Sequence, residues 1–414
     1  MEKAVLVGVR FKGDDPAVSL DSLAELKRLL ETAGGVVGAV MVQERVGCDP
    51  ATYVGEGKAR ELAGIVLKEK CSVVVVDHDL SPSQQKNLQD IVPAKIIDRT
   101  RLILDIFAQR ARSREGKLQV ELAQLSYNLP RITEKYGRFE QQTGGIGTRG
   151  PGERKLDVSQ RRARDRITRL KKEMEAVRRQ RSLRNENRQR TPWPLVALAG
   201  YTNAGKSSLL NALRAPGGDD LYADDALFAT LDPTTRRVKL PGGGFALFVD
   251  TVGFIQRLPH HLVVAFRATI EEAMEADLLV HVVDAASSAR AEQQRVVEEV
   301  FAELGADSVP RLTVFNKADL LTVEERGRFK EQGRLLCSAV TPDGRDELLR
   351  AVEALVEKDL KERTFLLPHG RRDLLPVIYG AGRVVREKPT DDGVLLTVRL
   401  DDKNWGRVQK MLEG

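Results

Sequence analysis

At 414 residues, 42% hydrophobic and 30% charged, the chain has the composition of a globular protein and is too long for a single core. No apolar run approaches the ~18–20 residues of a membrane helix, and the start, MEKAVLVGVR, enters a strand without the order of a signal peptide. The net charge of +6 is uneven: Arg99 to Arg190 hold 25 Lys/Arg against 11 Asp/Glu, a net +14, so the remainder carries −8 and one basic segment is offered to a polyanion.

Residues 1–103 alternate strand and helix signals and predict a small parallel α/β domain. AVLVGV, VVGAVMV, SVVVVD and AKIID read as short buried strands. SLDSLAELKRLLETAGG, GKARELAGIVLKEK and SPSQQKNLQDIV read as helices, the last with Ser81 as N-cap and Pro82 in its first turn. Gly55, Gly57 and Lys58 are read as a glycine turn and helix start. Cys48, Cys71 and Cys337 share no metal-like spacing, which predicts reduced thiols in a cytosolic protein.

Residues 104–190 change pattern. Leu118, Leu122, Leu125, Leu129, Ile132 and Tyr136 are spaced four, three, four, three, four, an apolar seam along a helix that Pro130 should kink or divide. Five glycines and a proline fall between Gly144 and Gly152, where no regular element is expected. Leu156, Ala163, Ile167, Leu170, Met174 and Val177 make a second seam, which predicts a helix over 153–190. Two seams joined by a loop fold back as an antiparallel hairpin within one chain, so a monomer is expected. RRARDRITRLKK sets guanidinium groups outside the seam, and Arg149 sits in the glycine tip, suiting this prong to structured RNA. TPWP then marks a linker, with Trp193 packed at the joint.

Residues 191–361 carry the chemistry. GYTNAGKS, between the strand PLVALAG and the helix SLLNALR, has Gly200, Gly205, Lys206 and Ser207 at the fixed positions of G-x-x-x-x-G-K-[ST]. Backbone N–H groups from Gly200 through Tyr201, Thr202, Asn203 and Ala204 to Ser207 would cradle phosphates, Lys206 would reach the β- and γ-phosphates, and the Ser207 hydroxyl is placed for Mg²⁺. FATLDPTT holds a threonine expected to close on that metal, within Phe228, Ala229, Thr230, Leu231 and Asp232. VDTVG offers Asp250 to the magnesium shell, followed by Thr251 and Val252, and the Gly253 N–H to a γ-phosphate. Asn316, Lys317, Ala318 and Asp319 of NKAD follow another strand. The Asp319 carboxylate can accept two hydrogen bonds from guanine, which adenine cannot supply. Ser338, Ala339 and Val340 of CSAV support the base. Four such pieces in order, each at the end of a parallel strand, predict a GTP-hydrolysing switch domain that binds GTP and GDP.

Many such domains place a glutamine after the glycine of D-x-x-G to orient water. Here Phe254 stands there, so isolated turnover is expected to be slow, with Gln256, Arg257, His260 and His261 as candidates to complete the site. Residues 362–414 contain the strand LLTVRL and a terminal helix, read as a small α+β unit without an assigned function.

PATYVGEGK, GGIGTRGPGE, GYTNAGKSSL, LFATLDPTTR and DTVGFIQRLPHHLVVAF together resemble the HflX family of translation-factor GTPases over about residues 1–360. The stretch after the glycine run reads ERKLD, more basic than the family's ETQLE-like pattern. The resemblance implies a cytosolic protein whose N-terminal domain and hairpin bind the large ribosomal subunit and its RNA. It implies separation of stalled or idle ribosomes with GTP bound, often under stress, and hydrolysis stimulated by ribosomes. It selects Thr230 as the Mg²⁺ threonine beside Ser207, leaves Lys206, Thr230 and Gly253 as the residues of catalysis, and makes Asn203 a candidate to hold K⁺ as a second cation. A large-subunit assembly GTPase and an RNA-remodelling module with a regulatory nucleotide domain are the rival readings.

Overall fold

Short valine-rich runs at the N-terminus become a sheet whose inner strands are buried on both faces, while one edge strand leaves Val36, Val40 and Val42 exposed. The computed structural model describes residues 2–13, 15–136, 151–188, 193–213, 227–228, 234–256, 275–306, 309–358, 360–400 and 402–413. Strands β1 (Lys3–Phe11), β2 (Val36–Arg45), β3 (Val73–Val76) and β4 (Lys95–Asp98) pair in parallel in the order β2-β1-β3-β4. Helices α1 (Pro16–Thr32), α2 (Glu56–Glu69) and α3 (Pro82–Ile91) are the crossovers. Ser81 caps α3 reciprocally with Gln84, and Pro82 opens the first turn, as the sequence predicts.

Asp98 ends β4 and caps α4 (Arg99–Arg110), its carboxylate accepting the Arg101 N–H. The hairpin follows as α5 (Arg114–Tyr136) and α6 (Pro151–Arg188). At 38 residues α6 is about 57 Å long at ~1.5 Å per residue. Arg166 forks onto Glu121 at 2.7 and 2.8 Å. Arg166 lies 15 residues after the start of α6 (166 − 151) and Glu121 lies 15 before the end of α5 (136 − 121), so the helices run antiparallel. Ala163 and Leu170 are buried and Ile167, Met174 and Val177 half-buried, which is the expected seam.

Two expectations change. Pro130 neither divides α5 nor ends it; the helix continues to Tyr136. Tyr127 and Arg131, on either side of the proline, are tied by side-chain bonds to the end of the N-terminal sheet, and these hold the turn in place. The glycine-rich stretch was expected to carry no regular element as far as Gly152, yet α6 starts at Pro151, which tolerates a first-turn position. The rest of that stretch, including Arg149, lies outside the described residues. In addition, α5 buries Val120, Ala123 and Tyr127 in the core beneath α4, so it serves two faces where the seam announced one.

The second sheet has the order β10-β9-β8-β5-β7-β6. Its strands are β5 (Leu195–Gly200), β6 (Thr234–Lys239), β7 (Phe245–Asp250), β8 (Leu278–Asp284), β9 (Arg311–Asn316) and β10 (Leu335–Leu336). The β6–β7 hairpin is antiparallel and the other pairings are parallel. Its helices are α7 (Lys206–Leu213), α8 (Arg290–Leu304), α9 (Val323–Glu331) and α10 (Arg345–Val356). Trp193 packs 5.9 Å from Phe245, between ring centroids, with the Arg237 guanidinium over its ring, so its contacts are with the β6–β7 hairpin.

The C-terminal unit is an antiparallel sheet β11 (Lys361–Pro368), β12 (Arg383–Thr390) and β13 (Gly393–Leu400), in the order β11-β13-β12, with α11 (Leu375–Ala381) and α12 (Asp402–Glu413). The sequence announced β13 and α12 alone. Arg383 anchors this unit to α10 through Glu353 and Glu357 at 3.0 and 2.7 Å, and Glu353 also accepts the Gly242 N–H at the β6–β7 turn. Among the described residues no helix is long and apolar enough to cross a membrane.

Candidate active site

The strand order reverses at β5, whose neighbours are β7 on one side and β8 on the other, and the chain leaves it at Gly200 into the phosphate loop. Such a switch point opens a crevice at the carboxyl ends of parallel strands. Gly205 has φ +86°, and a Cβ there would sit 2.3 Å from Asn316 Nδ2, so only glycine fits. Asn203 is at φ 59°, a left-handed position that asparagine tolerates. Lys206, the first residue of α7, is buried and donates to the carbonyls of Gly200 and Tyr201 at 3.1 and 2.9 Å. Burial drives its ammonium down to about 8, and the Asp250 carboxylate only partly opposes this.

Ser207 Oγ lies 2.5 Å from Asp250 Oδ2, and Asp250 is fully buried at the end of β7. One hydroxyl and one carboxylate fit Mg²⁺, which takes few protein ligands and fills its octahedron with phosphate oxygens and water. No cluster of three His, Cys, Asp or Glu that could cage a metal occurs among the described residues. Thr251 is buried and donates to Leu198 O at 2.7 Å, locking the turn after Asp250, with Val252 buried beside it. Gly253 lies against the loop: a Cβ there would be 2.8 Å from Thr202 Cα and 2.9 Å from Lys206 Nζ. Phe228 is buried edge-on against Phe107, at 4.6 Å between centroids. Ala229, Thr230, Leu231 and Asp232 lie outside the described residues, as do Arg257, His260 and His261.

Phe254 turns away from the phosphate loop. It is buried, and its ring packs edge-on to Phe301 of α8 at 5.6 Å. Its main chain bonds the loop twice: Phe254 N–H donates to Gly200 O at 3.1 Å, and Thr202 N–H donates to Phe254 O at 2.7 Å. Glu292, at the start of α8, has its carboxyl held below its usual range by the hydrogen bond from Arg295.

The residues expected to read the base lie together. Asn316 is fully buried and donates to Ala204 O at 2.9 Å, stapling the phosphate loop to β9. Lys317, at φ 63°, pairs with Asp284 at 2.8 Å. Ala318 N–H bonds Cys337 O, which ties this loop to the next. Asp319 accepts the Ser338 hydroxyl at 2.5 Å, and that hydroxyl accepts the N–H groups of Val340 and Thr341. The Ala339 carbonyl accepts from Arg345, while Val340 is exposed.

Sequence reasoning missed where Tyr201 points. Its hydroxyl donates to Glu25 of α1 at 2.7 Å and accepts the Gln256 N–H at 2.7 Å. Glu25 pairs with Arg99, which also bonds Asp77 at 2.8 Å. Charged residues next to apolar strands, as in VVVVD and KIIDR, were the available signal.

Four family descriptions cover the chain: "GTP-binding GTPase N-terminal" at residues 20–108, "GTP-binding GTPase Middle Region" at 110–188, "50S ribosome-binding GTPase" at 195–317 and "HflX C-terminal domain" at 325–413. The likeness therefore extends through the last unit, beyond the residues 1–360 that the motifs suggested. The curated protein "GTPase HflX" of Caldanaerobacter subterraneus subsp. tengcongensis is 44% identical, over 95% of this chain and 90% of that protein. "GTPase HflX" of Escherichia coli is 41% identical over 99% and 96%. The crystal structure of the SsGBP complex with GDP shares the fold, with a TM-score of 0.50 and 24% identity over 86% of this chain and 99% of that one.

Proposed function

The chain belongs to the HflX family of GTPases, and from that premise we propose that it binds the large ribosomal subunit through the α5–α6 hairpin and uses GTP to separate ribosomal subunits. The observation that carries this reading is a hairpin whose first helix, α5, is rooted in the same core as a phosphate loop and whose second is a basic helix of 38 residues. A guanidinium-rich prong recognises RNA backbone, and a triphosphate can govern how that prong is presented.

In this reading the chain divides into units 1–103, 104–190, 191–361 and 362–414 and acts as a cytoplasmic monomer. Gly200 to Ser207 hold the phosphates, with Lys206 neutralising charge between β and γ. Ser207 and Thr230 hold Mg²⁺, with Asp250 beside it and Phe228 to Asp232 closing over it; the metal supplies charge stabilisation at the transferring phosphoryl. Asp250 to Gly253 follow the γ-phosphate, the Gly253 N–H donating to it. Asn316 to Asp319 and Ser338 to Val340 read guanine. Because Phe254 is committed to the core, another group orients water, with Gln256, Arg257, His260 and His261 as its candidates, and the free protein turns over slowly. Asn203 makes K⁺ the second cation.

Light scattering of purified ribosomes with GTP, GDP and a non-hydrolysable analogue tests this. Scattering should fall with GTP or the analogue and hold with GDP. GTP turnover should rise severalfold with large subunits, and further in KCl than in NaCl. No response of turnover to ribosomes at any salt rejects the partner. Binding to subunit precursors without dissociation favours the assembly reading, and equal rates in the two salts remove K⁺.

A further inference from the structure

Tyr201 stands where three parts of the molecule meet. Its backbone is the second residue of the phosphate loop, and its hydroxyl is shared between Glu25 of α1 and the Gln256 N–H, three residues past Gly253. From Glu25 the contacts continue inward. Arg99, 1% exposed, pairs with Glu25 and Asp77, and Ser22 donates to Asp77 at 2.7 Å. Beside Arg99 in the chain, Asp98 faces the other way. It accepts the Tyr127 hydroxyl at 2.8 Å and pairs with Arg131 at 3.2 Å, and both of these belong to α5. Arg131 also donates to Leu80 O at 2.7 Å. One dipeptide at the end of β4 thus reaches the phosphate loop through Glu25 with one residue and holds the second half of α5 with the other. These groups are buried, so a shift of one is not absorbed by water. Burial also raises the Glu25 carboxyl against the pull of Arg99, which makes the phenol's hydrogen bond to it the more costly to lose.

We propose that Tyr201 is a positioning residue for hydrolysis, and that the chain Tyr201–Glu25–Arg99, continued by Asp98–Tyr127, carries the state of the Gly253–Gln256 segment to the hairpin. When Gly253 follows the γ-phosphate, Gln256 N–H moves with it. The Tyr201 hydroxyl must then re-aim, and Glu25 with α1 and α4 follows. Other contacts run beside this path without passing through the phenol: the Leu227 N–H donates to Thr32 at the end of α1, and Phe107 packs on Phe228. The inference rests on the reading of the chain as a factor whose nucleotide governs its hairpin.

The test is hydrogen exchange on the full-length protein, without ribosomes, with GDP or a non-hydrolysable GTP analogue. In the wild type, protection of α1 and of the α5 turns around Tyr127 and Arg131 should differ between the two nucleotides. In Tyr201→Phe, which keeps the buried ring, that difference should vanish. The phosphate loop should still be protected by both nucleotides, and GDP affinity should be unchanged. Turnover should follow the same split, kcat falling about fivefold, the worth of one buried hydrogen bond, with KM unmoved. Glu25→Gln retains an acceptor for the phenol and should keep the nucleotide response of α1. A wild type whose α1 and α5 ignore the nucleotide, a Tyr201→Phe protein that keeps the response, or one that loses GDP affinity and kcat together each overturns the relay. A phosphate loop that neither nucleotide protects sinks the reading of the site itself.

Discussion

Two parallel sheets in this chain face the same problem at the carboxyl ends of their strands and solve it in opposite ways. In the sheet containing β5, the ends are left for a ligand. The loop after Gly200 presents backbone N–H groups, and Lys206 is buried with no carboxylate ion pair among the described residues, at the expense of its charge. In the sheet containing β1, the ends are filled by the protein. Arg99 is matched by Glu25 and Asp77, and Asp98 by Arg131, Tyr127 and the N–H groups of Leu80 and Arg101. The strand order of this sheet also reverses, between β2-β1 and β3-β4, where an open sheet would ordinarily receive a ligand. Its crevice takes the Tyr201 hydroxyl instead. A crevice left for a ligand holds function and gives up stability, whereas one completed by side chains holds stability and transmits position.

Substitutions at the two ends should therefore separate activity from stability. Lys206→Met should lower GTP turnover by about 10³-fold or more, since charge stabilisation at the transferring phosphoryl is the main catalytic contribution. Its nucleotide-free form should melt no earlier than wild type, because an unmatched buried charge has been removed. Thermal unfolding beside a phosphate-release assay decides this, and a large fall in melting temperature contradicts the contrast. Asp98→Ala is the mirror image. Leaving Arg131 and the Tyr127 hydroxyl without their partner should cost about 3 kcal/mol in urea unfolding, while GDP affinity stays within about twofold. A variant of wild-type stability would mean that water replaces the carboxylate freely.

The same contrast explains what the sequence could reveal. The nucleotide site is written in local motifs, because backbone turns and φ angles demand particular residues at fixed spacing: Gly205 against Asn316, Gly253 against Thr202. The strands, the α3 cap and the seam of α6 were legible for the same reason. The other sheet end joins Glu25, Asp77, Asp98, Tyr127, Arg131 and Tyr201, which are far apart in the chain and unremarkable one by one. No periodicity marks a residue whose partner is 176 positions away. Pro130 does not divide the helix because its penalty is local, while the bonds of Tyr127 and Arg131 on either side of it are not. Phe254 was correctly suspected of being unable to orient water, but its place against Phe301 depends on α8, some 47 residues on (301 − 254).

The smallest effect tests the empty end most directly. Lys206 falls from its ordinary 10.5 to about 8 because its charge is buried without the phosphates that would match it. In the nucleotide-free protein the unfolded chain therefore holds more protons between about pH 8 and pH 10.5, so stability attributable to this group rises with pH across that window. Bound phosphates favour the charged form and lift the pKa again. Above about pH 8 the free protein must then regain a proton to bind, and GDP affinity should fall with rising pH by at most about tenfold per unit, ~1.4 kcal/mol. Calorimetric titrations from about pH 7 to about pH 8.5, where guanine is still mostly protonated, should show this loss together with proton uptake. Affinity that stays flat in the wild type would mean that the lysine's charge is already matched in the free protein, and the two sheet ends would then differ in shape and not in electrostatics.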